Sequence, residues 1–305
     1  MNYDLVVVGA GPAGLTAGIY GGRAGLETLV LERGMTGGAA STAPVIQNYP
    51  GFASITGAVL VGHIRAQALK YAELHELEEV KEAALTDGGV MISTDKGSYT
   101  TQSLIIATGA EPHSLGVPGE DALRGRGVSY CAICDGPLFK GKRVVVVGGG
   151  NAAVAEATYL QHIGCKVTLV HRKGELRADK TMQADLSALG VELRLSSTIT
   201  AILGDGTVEG VRVKRAHAEE DLDIEGVFIA VGSSPNVELA RSLGVRLDAG
   251  DHILADQTRR TNISNVYAAG DVTGGVKQIV VACSQGAVAA LSAYEDVKRP
   301  YWSKR

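Results

Sequence analysis

The chain has no long apolar segment and no excess of positive charge. No stretch of its 305 residues approaches the roughly 18 consecutive apolar residues that a membrane-spanning helix requires. The net charge is −4 and the pI is about 6.0, whereas a nucleic-acid-binding domain usually carries a basic excess. These absences argue against a membrane protein and against a general nucleic-acid binder.

Cysteine is also scarce, since the whole chain contains four. Small secreted folds that depend on disulfides are dense in cysteine, whereas a few thiols suit a reducing compartment. The N-terminus shows no basic region of the kind that opens a secretory signal peptide. We therefore expect a cytoplasmic protein, long enough for two domains of ordinary size.

Two of the four cysteines form a C-x-x-C pair, Cys131 and Cys134, with Asp135 directly behind it. Thiols at this spacing can close and open a disulfide ring, which is two-electron chemistry. The same spacing is half of a zinc site, but a structural zinc takes about four nitrogen or sulfur ligands. Cys165 and Cys283 stand alone, and no histidine lies near the pair at ligand spacing. The pattern favours redox chemistry over metal binding.

Residues 4–33 have the pattern of a strand, a glycine-rich turn, a helix and a second strand. The turn is G-A-G-P-A-G at 9–14, and the second strand ends in Glu32. Gly9 permits the tight turn, Gly11 lets backbone N–H groups approach a pyrophosphate, and Gly14 allows close packing of helix on strand. The pattern predicts a dinucleotide site in which Glu32 accepts hydrogen bonds from ribose hydroxyls.

A second unit of the same kind follows the cysteine pair. Its strand at 143–147 runs into G-G-G-N-A-A at 148–153, and its next strand ends in His171, Arg172 and Lys173, with Arg177 four residues further. Positive charge at this position can accept a ribose 2′-phosphate, so the unit is predicted to bind NADPH. A solvated basic turn is the alternative interpretation.

The remaining segments predict an α/β fold. We expect a helix over 57–74, a β-meander over 79–103, more short strands over 191–231 and a final helix over 286–297. Asp271 follows a small-residue strand, where an acid can meet a flavin nucleotide. The C-terminal segment looks like the missing part of the first domain. The fold class is two Rossmann-like three-layer nucleotide-binding domains, the second inserted in the first, each with a small β-meander.

Taken together, the motifs resemble the low-molecular-weight thioredoxin reductases of bacteria and archaea over nearly the whole chain. Beyond the two glycine-rich turns, the motifs that carry this resemblance are G-G at 37–38, N-Y-P-G at 48–51, A-T-G at 107–109, S-Y-C-A-I-C-D-G at 129–136, the basic run at 171–177, G-S-S-P-N at 232–236 and A-A-G-D-V at 268–272.

The resemblance implies FAD in a split domain (1–113 and 246–305), NADPH in the inserted domain (114–245) and a homodimer. It further implies that electrons pass from NADPH through the flavin to a Cys131–Cys134 disulfide and then to thioredoxin or a thioredoxin-like protein. Cys134 would face the flavin, Cys131 would attack the partner, and Asp135 would handle the proton. The implied cofactor-binding residues are Gly9, Gly11, Pro12, Ala13, Gly14, Glu32, Gly38, Asn48, Thr108, Gly109, Gly148, Gly150, Asn151, Ala152, His171, Arg172, Lys173, Arg177, Gly232, Gly270, Asp271, Lys277, Gln278 and Ile279. No metal site is predicted.

Three positions depart from the family pattern. Lys173 replaces a second arginine of the basic run, Lys277 precedes Gln278 where the family has an Arg-Gln pair, and Cys283 stands where a small residue without a thiol is usual. Lysine keeps the charge of arginine but loses its bidentate fork. We interpret Cys165 and Cys283 as buried small hydrophobic residues.

Other interpretations stay open at this stage. The same scaffold could receive electrons from another donor, a ferredoxin or a deazaflavin. A peroxide-system flavoprotein would usually need an additional N-terminal domain. An alternative outside the enzymes is a flavin-binding protein that catalyses no reaction. Such a protein would have no need for Cys131, Cys134 and Asp135 together.

Overall fold

The computed structural model describes residues 2–216 and 218–298. The chain forms two compact units. The first unit runs to Glu111 and resumes at Ser234, and the second unit is Pro112–Ser233. The sequence prediction extended the FAD-binding domain to residue 305, and residues 299–305 of it lie outside the described residues.

The strands of the described chain are β1 (Asn2–Val8), β2 (Thr28–Leu31), β3 (Glu73–His75), β4 (Val80–Thr86), β5 (Gly89–Thr94), β6 (Ser98–Ile106), β7 (Ala110–Pro112), β8 (Val128–Ser129), β9 (Arg143–Val147), β10 (Lys166–His171), β11 (Glu192–Leu195), β12 (Ser197–Leu203), β13 (Gly210–Arg215), β14 (Ala218–Asp223), β15 (Gly226–Ile229), β16 (Ser233–Pro235) and β17 (Val266–Ala268). The helices are α1 (Pro12–Arg23), α2 (Gly57–Ala68), α3 (Ala132–Asp135), α4 (Asn151–His162), α5 (Lys180–Ala188), α6 (Glu238–Ser242) and α7 (Ile279–Lys298). Short 3-10 turns cover Gly38–Thr42, Gly136–Phe139 and Asp271–Thr273.

The first unit is built on a sheet in the order β3-β2-β1-β6-β5-β4, with β17 also paired to β6. The pairs among β3, β2, β1, β6 and β17 are parallel, and β6, β5 and β4 continue as an antiparallel meander. Leu5, Val6 and Val7 are fully buried, as expected for a central parallel strand covered on both faces.

Small residues let α1 and α7 lie close together in the first unit. Proline at the first turn of α1 has the backbone angle that a helix start needs. A Cβ on Gly286 of α7 would lie 2.0 Å from the Ala13 carbonyl oxygen, so only glycine fits there. Ala17 and Ala290 are fully buried in the same core. This packing holds the N-terminus of α1 against the C-terminal segment of the unit.

The predicted helix over 57–74 is wrong at its C-terminal end. The helix α2 stops at Ala68, and Glu73–His75 is instead the strand β3, paired in parallel with β2. The helical spacing of Val61, Ile64 and Ala68 identified the helix itself. The change to an extended strand depends on hydrogen bonds to β2, which lies more than forty residues away in the sequence.

The second unit has the parallel order β11-β10-β9-β15-β8, and β12, β13 and β14 form an antiparallel meander. The fold class predicted from the sequence, an α/β chain with two Rossmann-like units and a β-meander in each, is confirmed. The sequence placed the second domain boundary at 245/246. Val237, Ala240, Leu243 and Val245 are buried in the core of the first unit, so the compact division falls before α6.

Within the described ranges, no helix is long and apolar enough to cross a membrane.

Candidate active site

The C-x-x-C pair lies at the start of α3 in the second unit and is closed as a disulfide. The Cα atoms of Cys131 and Cys134 are 5.3 Å apart. Cys131 is the N-cap of the short helix, and its Sγ accepts a hydrogen bond from the Cys134 N–H at 3.2 Å. Cys131 is half-buried and Cys134 is exposed. The pair that the sequence favoured for redox chemistry therefore has disulfide geometry.

Asp135 is joined to the disulfide turn through Ser129. The Ser129 hydroxyl donates to Asp135 Oδ2 at 2.6 Å and accepts from the Cys131 N–H at 3.1 Å. Burial raises the pKa of Asp135, and the Ser129 hydrogen bond partly opposes this. A carboxyl with a raised pKa can hold and release a proton beside the sulfurs.

Tyr130, between Ser129 and Cys131, anchors the turn on its other side. Its hydroxyl donates to Glu120 Oε1 at 2.7 Å, and the Arg124 guanidinium lies 4.9 Å from the centre of its ring. Glu120 is buried and also accepts the backbone N–H groups of Leu115 and Gly116 at 2.9 and 2.7 Å. These contacts hold the turn on the body of the second unit.

The first glycine-rich turn leaves an open backbone surface in the first unit. A Cβ on Gly9 would lie 2.3 Å from the Ala107 carbonyl oxygen, and one on Gly14 would lie 1.8 Å from the Gly9 carbonyl oxygen. A Cβ on Gly11 would meet nothing within 4 Å, apart from its chain neighbours. Gly9 and Gly14 thus serve packing, while the backbone at Gly11 faces open space where an anionic group fits.

Glu32 and Gly38 lie at the same turn. Glu32 Oε2 accepts the Ala10 N–H at 2.7 Å and Oε1 accepts the Gly34 N–H at 2.9 Å. The carboxylate is therefore fixed at the end of β2, and each of its oxygens retains a second lone pair for a ribose hydroxyl. A Cβ on Gly38 would lie 3.4 Å from the Gly11 Cα, so the two glycines border one space.

Gly270, one of the predicted residues of the C-terminal segment, lies against this turn. A Cβ on Gly270 would lie 3.0 Å from the Ala13 Cβ, which places Asp271 near the start of α1. Burial raises the pKa of Asp271, and the positive charge of Lys277 opposes that shift. Gly270 N–H donates to Gln285 Oε1 at 2.7 Å.

Three more predicted residues, Asn48, Thr108 and Gln278, form hydrogen bonds within the first unit. Asn48 Nδ2 donates to Gln278 Oε1 at 3.0 Å, so these residues, 230 positions apart, lie side by side. Thr108 Oγ1 donates to the Asn236 carbonyl oxygen at 2.6 Å, and the Asn236 amide returns a bond to the Thr108 carbonyl oxygen. Ile279 is the first residue of α7, and Pro12 is the first of α1.

The second glycine-rich turn surrounds His171 in the second unit. A Cβ on Gly149 would lie 2.3 Å from the His171 ring. His171 is buried, and its Nε2 has no hydrogen-bond partner among the described residues. A Cβ on Gly150 would meet nothing within 4 Å, and Gly150 is the N-cap of α4. An open helix start beside an unpaired ring nitrogen suits a phosphate or ribose oxygen.

The basic residues converge on the same place. Burial, together with the charges of Arg177, Arg172 and Lys173, lowers the pKa of His171. All three cations are exposed, and none forms an ion pair within the described part of the chain. The Arg177 backbone N–H donates to the Gly149 carbonyl oxygen at 2.7 Å, which brings this residue to the turn.

The other predicted residues of the second unit have structural partners. Asn151 Nδ2 donates to Asp179 Oδ2 at 3.0 Å and Asn151 Oδ1 accepts the Asp179 N–H at 2.9 Å. Ala152 is exposed in the first turn of α4. Gly232 has a positive φ of 104°, and its carbonyl oxygen accepts the His113 N–H at 2.9 Å.

Sequence reasoning missed several polar partners of these residues, namely Ser129, Glu120, Asp179, Asn236 and Gln285. Ser129 and Asn236 stand inside quoted motifs, S-Y-C-A-I-C-D-G and G-S-S-P-N, but the motifs gave them no role. Glu120, Asp179 and Gln285 carry no local signal, because their importance comes from contacts with distant segments.

The two remaining cysteines differ from each other. Cys165 is buried, burial raises its thiol pKa, and its Sγ donates to the Phe139 carbonyl oxygen at 3.2 Å. The interpretation as a buried small residue is confirmed for Cys165. Cys283 is only half-buried, and the Tyr49 hydroxyl lies 3.9 Å from its Sγ. For Cys283 the prediction of full burial is wrong, because it lies on the less covered side of α7.

Comparisons with known proteins agree over almost the full length. Residues 3–286 match the model of the family described as "Pyridine nucleotide-disulphide oxidoreductase". The chain is 41% identical to the thioredoxin reductase of Listeria monocytogenes, over 97% of this chain and 94% of that protein. It is 38% identical to the thioredoxin reductase of Bacillus subtilis, over 97% and 95%. The crystal structure of thioredoxin reductase from Streptococcus pyogenes superposes with a TM-score of 0.92 at 35% identity, covering 98% of this chain and 99% of that one.

Proposed function

The chain belongs to the pyridine nucleotide-disulphide oxidoreductase family, and we propose that it carries electrons from NADPH through FAD to the Cys131–Cys134 disulfide and on to thioredoxin. It is a thioredoxin reductase, an oxidoreductase acting on the disulfide of its partner protein. The resemblance stated from the motifs is confirmed at this level.

The observation that carries this function is the disulfide itself. Cys131 and Cys134 are bonded at the start of α3, and the Asp135 carboxyl is joined to the same turn through Ser129. A protein that only binds a flavin needs neither a reducible bond nor a carboxyl with a raised pKa beside it.

The residues of the first unit fit FAD. Gly11 and Gly38 would receive the pyrophosphate on open backbone, and Glu32 would accept from a ribose hydroxyl. Asp271, beside the start of α1, would accept hydrogen bonds from the flavin nucleotide. When bound, FAD supplies a two-electron carrier between a nicotinamide and a disulfide.

The residues of the second unit fit NADPH. Gly150 and the start of α4 would meet the pyrophosphate, and His171 Nε2 would gain a hydrogen-bonding partner. Arg172, Lys173 and Arg177 would surround the 2′-phosphate, a dianion that satisfies exposed cations.

The chain's own groups account for the exchange with thioredoxin. Once the disulfide is reduced, a thiolate of the pair attacks one sulfur of the thioredoxin disulfide, and the other sulfur leaves with two electrons. The second cysteine then attacks the mixed disulfide, which releases the reduced partner and reforms the Cys131–Cys134 bond. By the family resemblance, Cys131 attacks the partner and Cys134 faces the flavin. Asp135 holds or gives the proton that the sulfurs exchange.

Serine substitutions separate flavin reduction from disulfide reduction. We expect Cys131→Ser and Cys134→Ser each to leave anaerobic bleaching of the flavin by NADPH intact while abolishing thioredoxin reduction. Near wild-type turnover of thioredoxin in either variant would refute the assignment. Wild-type flavin that neither NADPH nor NADH bleaches would instead favour a ferredoxin or deazaflavin as the donor.

The resemblance also supports a homodimer that works in the cytoplasm. Sedimentation velocity of the flavin-loaded protein tests the dimer, since a species of single-chain mass at micromolar concentration would refute it. Fractionation of the source cells tests the compartment.

A further inference from the structure

Glu156 belongs to the helix on which the disulfide turn is packed. Ala132 of α3 is buried in the same cluster as Ala157 and Leu160 of α4. The contact is tight, because a Cβ on Gly136 would lie 2.8 Å from Leu160 Cδ2. Glu156 directly precedes Ala157 on α4, and its carboxyl lies near the backbone N–H of Ala132 at the start of α3.

The two oxygens of this carboxyl have different surroundings. The Ala132 backbone N–H, the first of α3, lies near the carboxyl and favours its ionised form, and the Ala132 nitrogen is bonded directly to the Cys131 carbonyl carbon. Oε2 is buried and has no hydrogen-bond partner among the described residues. An ionised carboxylate with one oxygen buried and unpaired is costly, whereas a proton on Oε2 removes the charge. Burial accordingly raises the pKa of Glu156 to about 7.

No counter-charge offsets this burial in the described part of the chain, where Glu156 forms no ion pair. The titratable and charged residues on α4 and on the segments packed against it are Cys131, Cys134, Asp135, Arg143, Tyr159, His162, Cys165, Lys166, His171, Asp179, Lys180 and Asp185. Of these, Cys134 and Asp135 lie in the short helix α3, Cys131 is its N-cap, and the first N–H of that helix lies near Glu156.

We propose that Glu156 is a positioning residue of the disulfide centre, which stores a proton beside Cys131 and sets the charge that the reduced thiols experience. This inference rests on the redox function proposed above. Asp135 and Glu156 would then both influence the disulfide turn. Asp135 would do so through Ser129, and Glu156 through the Ala132 N–H.

The electron and proton balance of the disulfide shows why stored protons matter. Breaking the Cys131–Cys134 bond takes two electrons, and forming two thiols takes two protons. The hydride of NADPH supplies both electrons and one proton equivalent, so the second proton comes from solution or from a carboxyl. With only one proton taken up, the product is a thiol and a thiolate. A neutral Glu156 favours that thiolate, and an ionised one opposes it by like-charge repulsion.

The sign of the effect can be tested directly on the thiols. Flavin-loaded enzyme is reduced with dithiothreitol, and alkylation of each cysteine by iodoacetamide is followed by peptide mass spectrometry from about pH 5.5 to about pH 9.5. In wild type, the rate profile of Cys131 should bend near pH 7, where Glu156 ionises. In Glu156→Gln, which keeps an oxygen for the Ala132 N–H, the bend should vanish. The Cys131 thiol pKa should fall by roughly one unit, with about tenfold faster alkylation near pH 8.

Glu209→Gln is the matched control, because Glu209 is exposed in the same unit, and its profile should follow wild type. If Glu156 has only a structural role beside Ala132, Glu156→Gln will also follow wild type and the proposal is overturned. A second measurement uses the wild-type enzyme, so it does not depend on whether a variant folds. In wild-type enzyme carrying ¹³C-labelled glutamate, one carboxyl signal should titrate near pH 7. Titration of every glutamate below about pH 5.5 would equally refute the proposal.

Neither measurement uses NADPH or thioredoxin. A failure of the donor or of the partner assignment would therefore leave both readouts intact, and a failure of the Glu156 proposal would leave thioredoxin turnover intact.

Discussion

Ser129→Ala removes the link between Asp135 and the disulfide turn. In wild type, the hydroxyl donates to Asp135 Oδ2 at 2.6 Å and accepts from the Cys131 N–H at 3.1 Å. Alanine fills nearly the same space, so the strand β8 should be kept while both hydrogen bonds are lost. The ionised form of Asp135 should therefore be less stabilised.

The size of this effect follows from two opposing influences on Asp135. Burial raises its pKa, and the Ser129 hydrogen bond lowers it. A hydrogen bond to a charged group contributes about 1.5–3 kcal/mol, and one pKa unit corresponds to about 1.36 kcal/mol. Losing the bond should therefore raise the pKa of Asp135 by roughly one to two units.

The assay is the pH dependence of kcat/KM for thioredoxin at saturating NADPH, which reports ionisations of the free reduced enzyme and of free thioredoxin. Asp135 is proposed to act as an acid, so activity should decline as pH rises through its pKa. In Ser129→Ala, the pH at which kcat/KM declines should rise by about one to two units.

Ser197→Ala provides a matched control. Ser197 is also buried in the second unit, and its hydroxyl donates to the Leu195 carbonyl oxygen at 3.0 Å, away from any carboxylate. It should lose a similar amount of stability without a change in the pH profile. An unshifted profile in Ser129→Ala, or equal shifts in both variants, would show that Ser129 does not tune Asp135.

Three further predictions concern the two nucleotide sites and Glu156. Gly11→Val should fold but purify without FAD, because its side chain enters open space where the pyrophosphate would lie; Gly88→Val, equally uncrowded, should retain FAD, and stoichiometric FAD in the Gly11 variant would contradict the site. Arg172→Ala should lower kcat/KM for NADPH by about tenfold or more and leave NADH kinetics nearly flat. Arg215 is an exposed arginine of the same unit, and Arg215→Ala should change kcat/KM for neither nucleotide. An unchanged ratio of kcat/KM for NADPH to that for NADH in the Arg172 variant would exclude the 2′-phosphate contact. The folded pKa of Glu156, about 7, lies above its ordinary value of 4.5, so the proton stabilises the fold fully below about pH 4.5 and this stability is lost as pH rises through 7. Urea unfolding should therefore show wild type losing about 2–3 kcal/mol relative to Glu156→Gln between about pH 5 and about pH 8, whereas a pH-independent difference would mean that the carboxyl is not protonated.

The sequence alone determined the features that depend on neighbouring residues. Both glycine-rich turns lie between a buried strand and a helix, as their spacing predicts, because a tight turn and a close helix–strand contact need glycine at fixed offsets. The C-x-x-C pair could be interpreted as redox-active because a disulfide ring closes within four residues. The roles predicted for the individual cofactor-binding residues stay predictions.

Only the tertiary structure decided which distant groups meet. The sequence extended α2 through residue 74, and pairing with β2 converts Glu73–His75 into a strand. Asn48 and Gln278 become neighbours only when the two parts of the first unit pack together. Glu156 has an unremarkable place in the sequence of α4. Its proton affinity comes from desolvation where α3 covers it, and desolvation depends on packing that local sequence patterns do not encode.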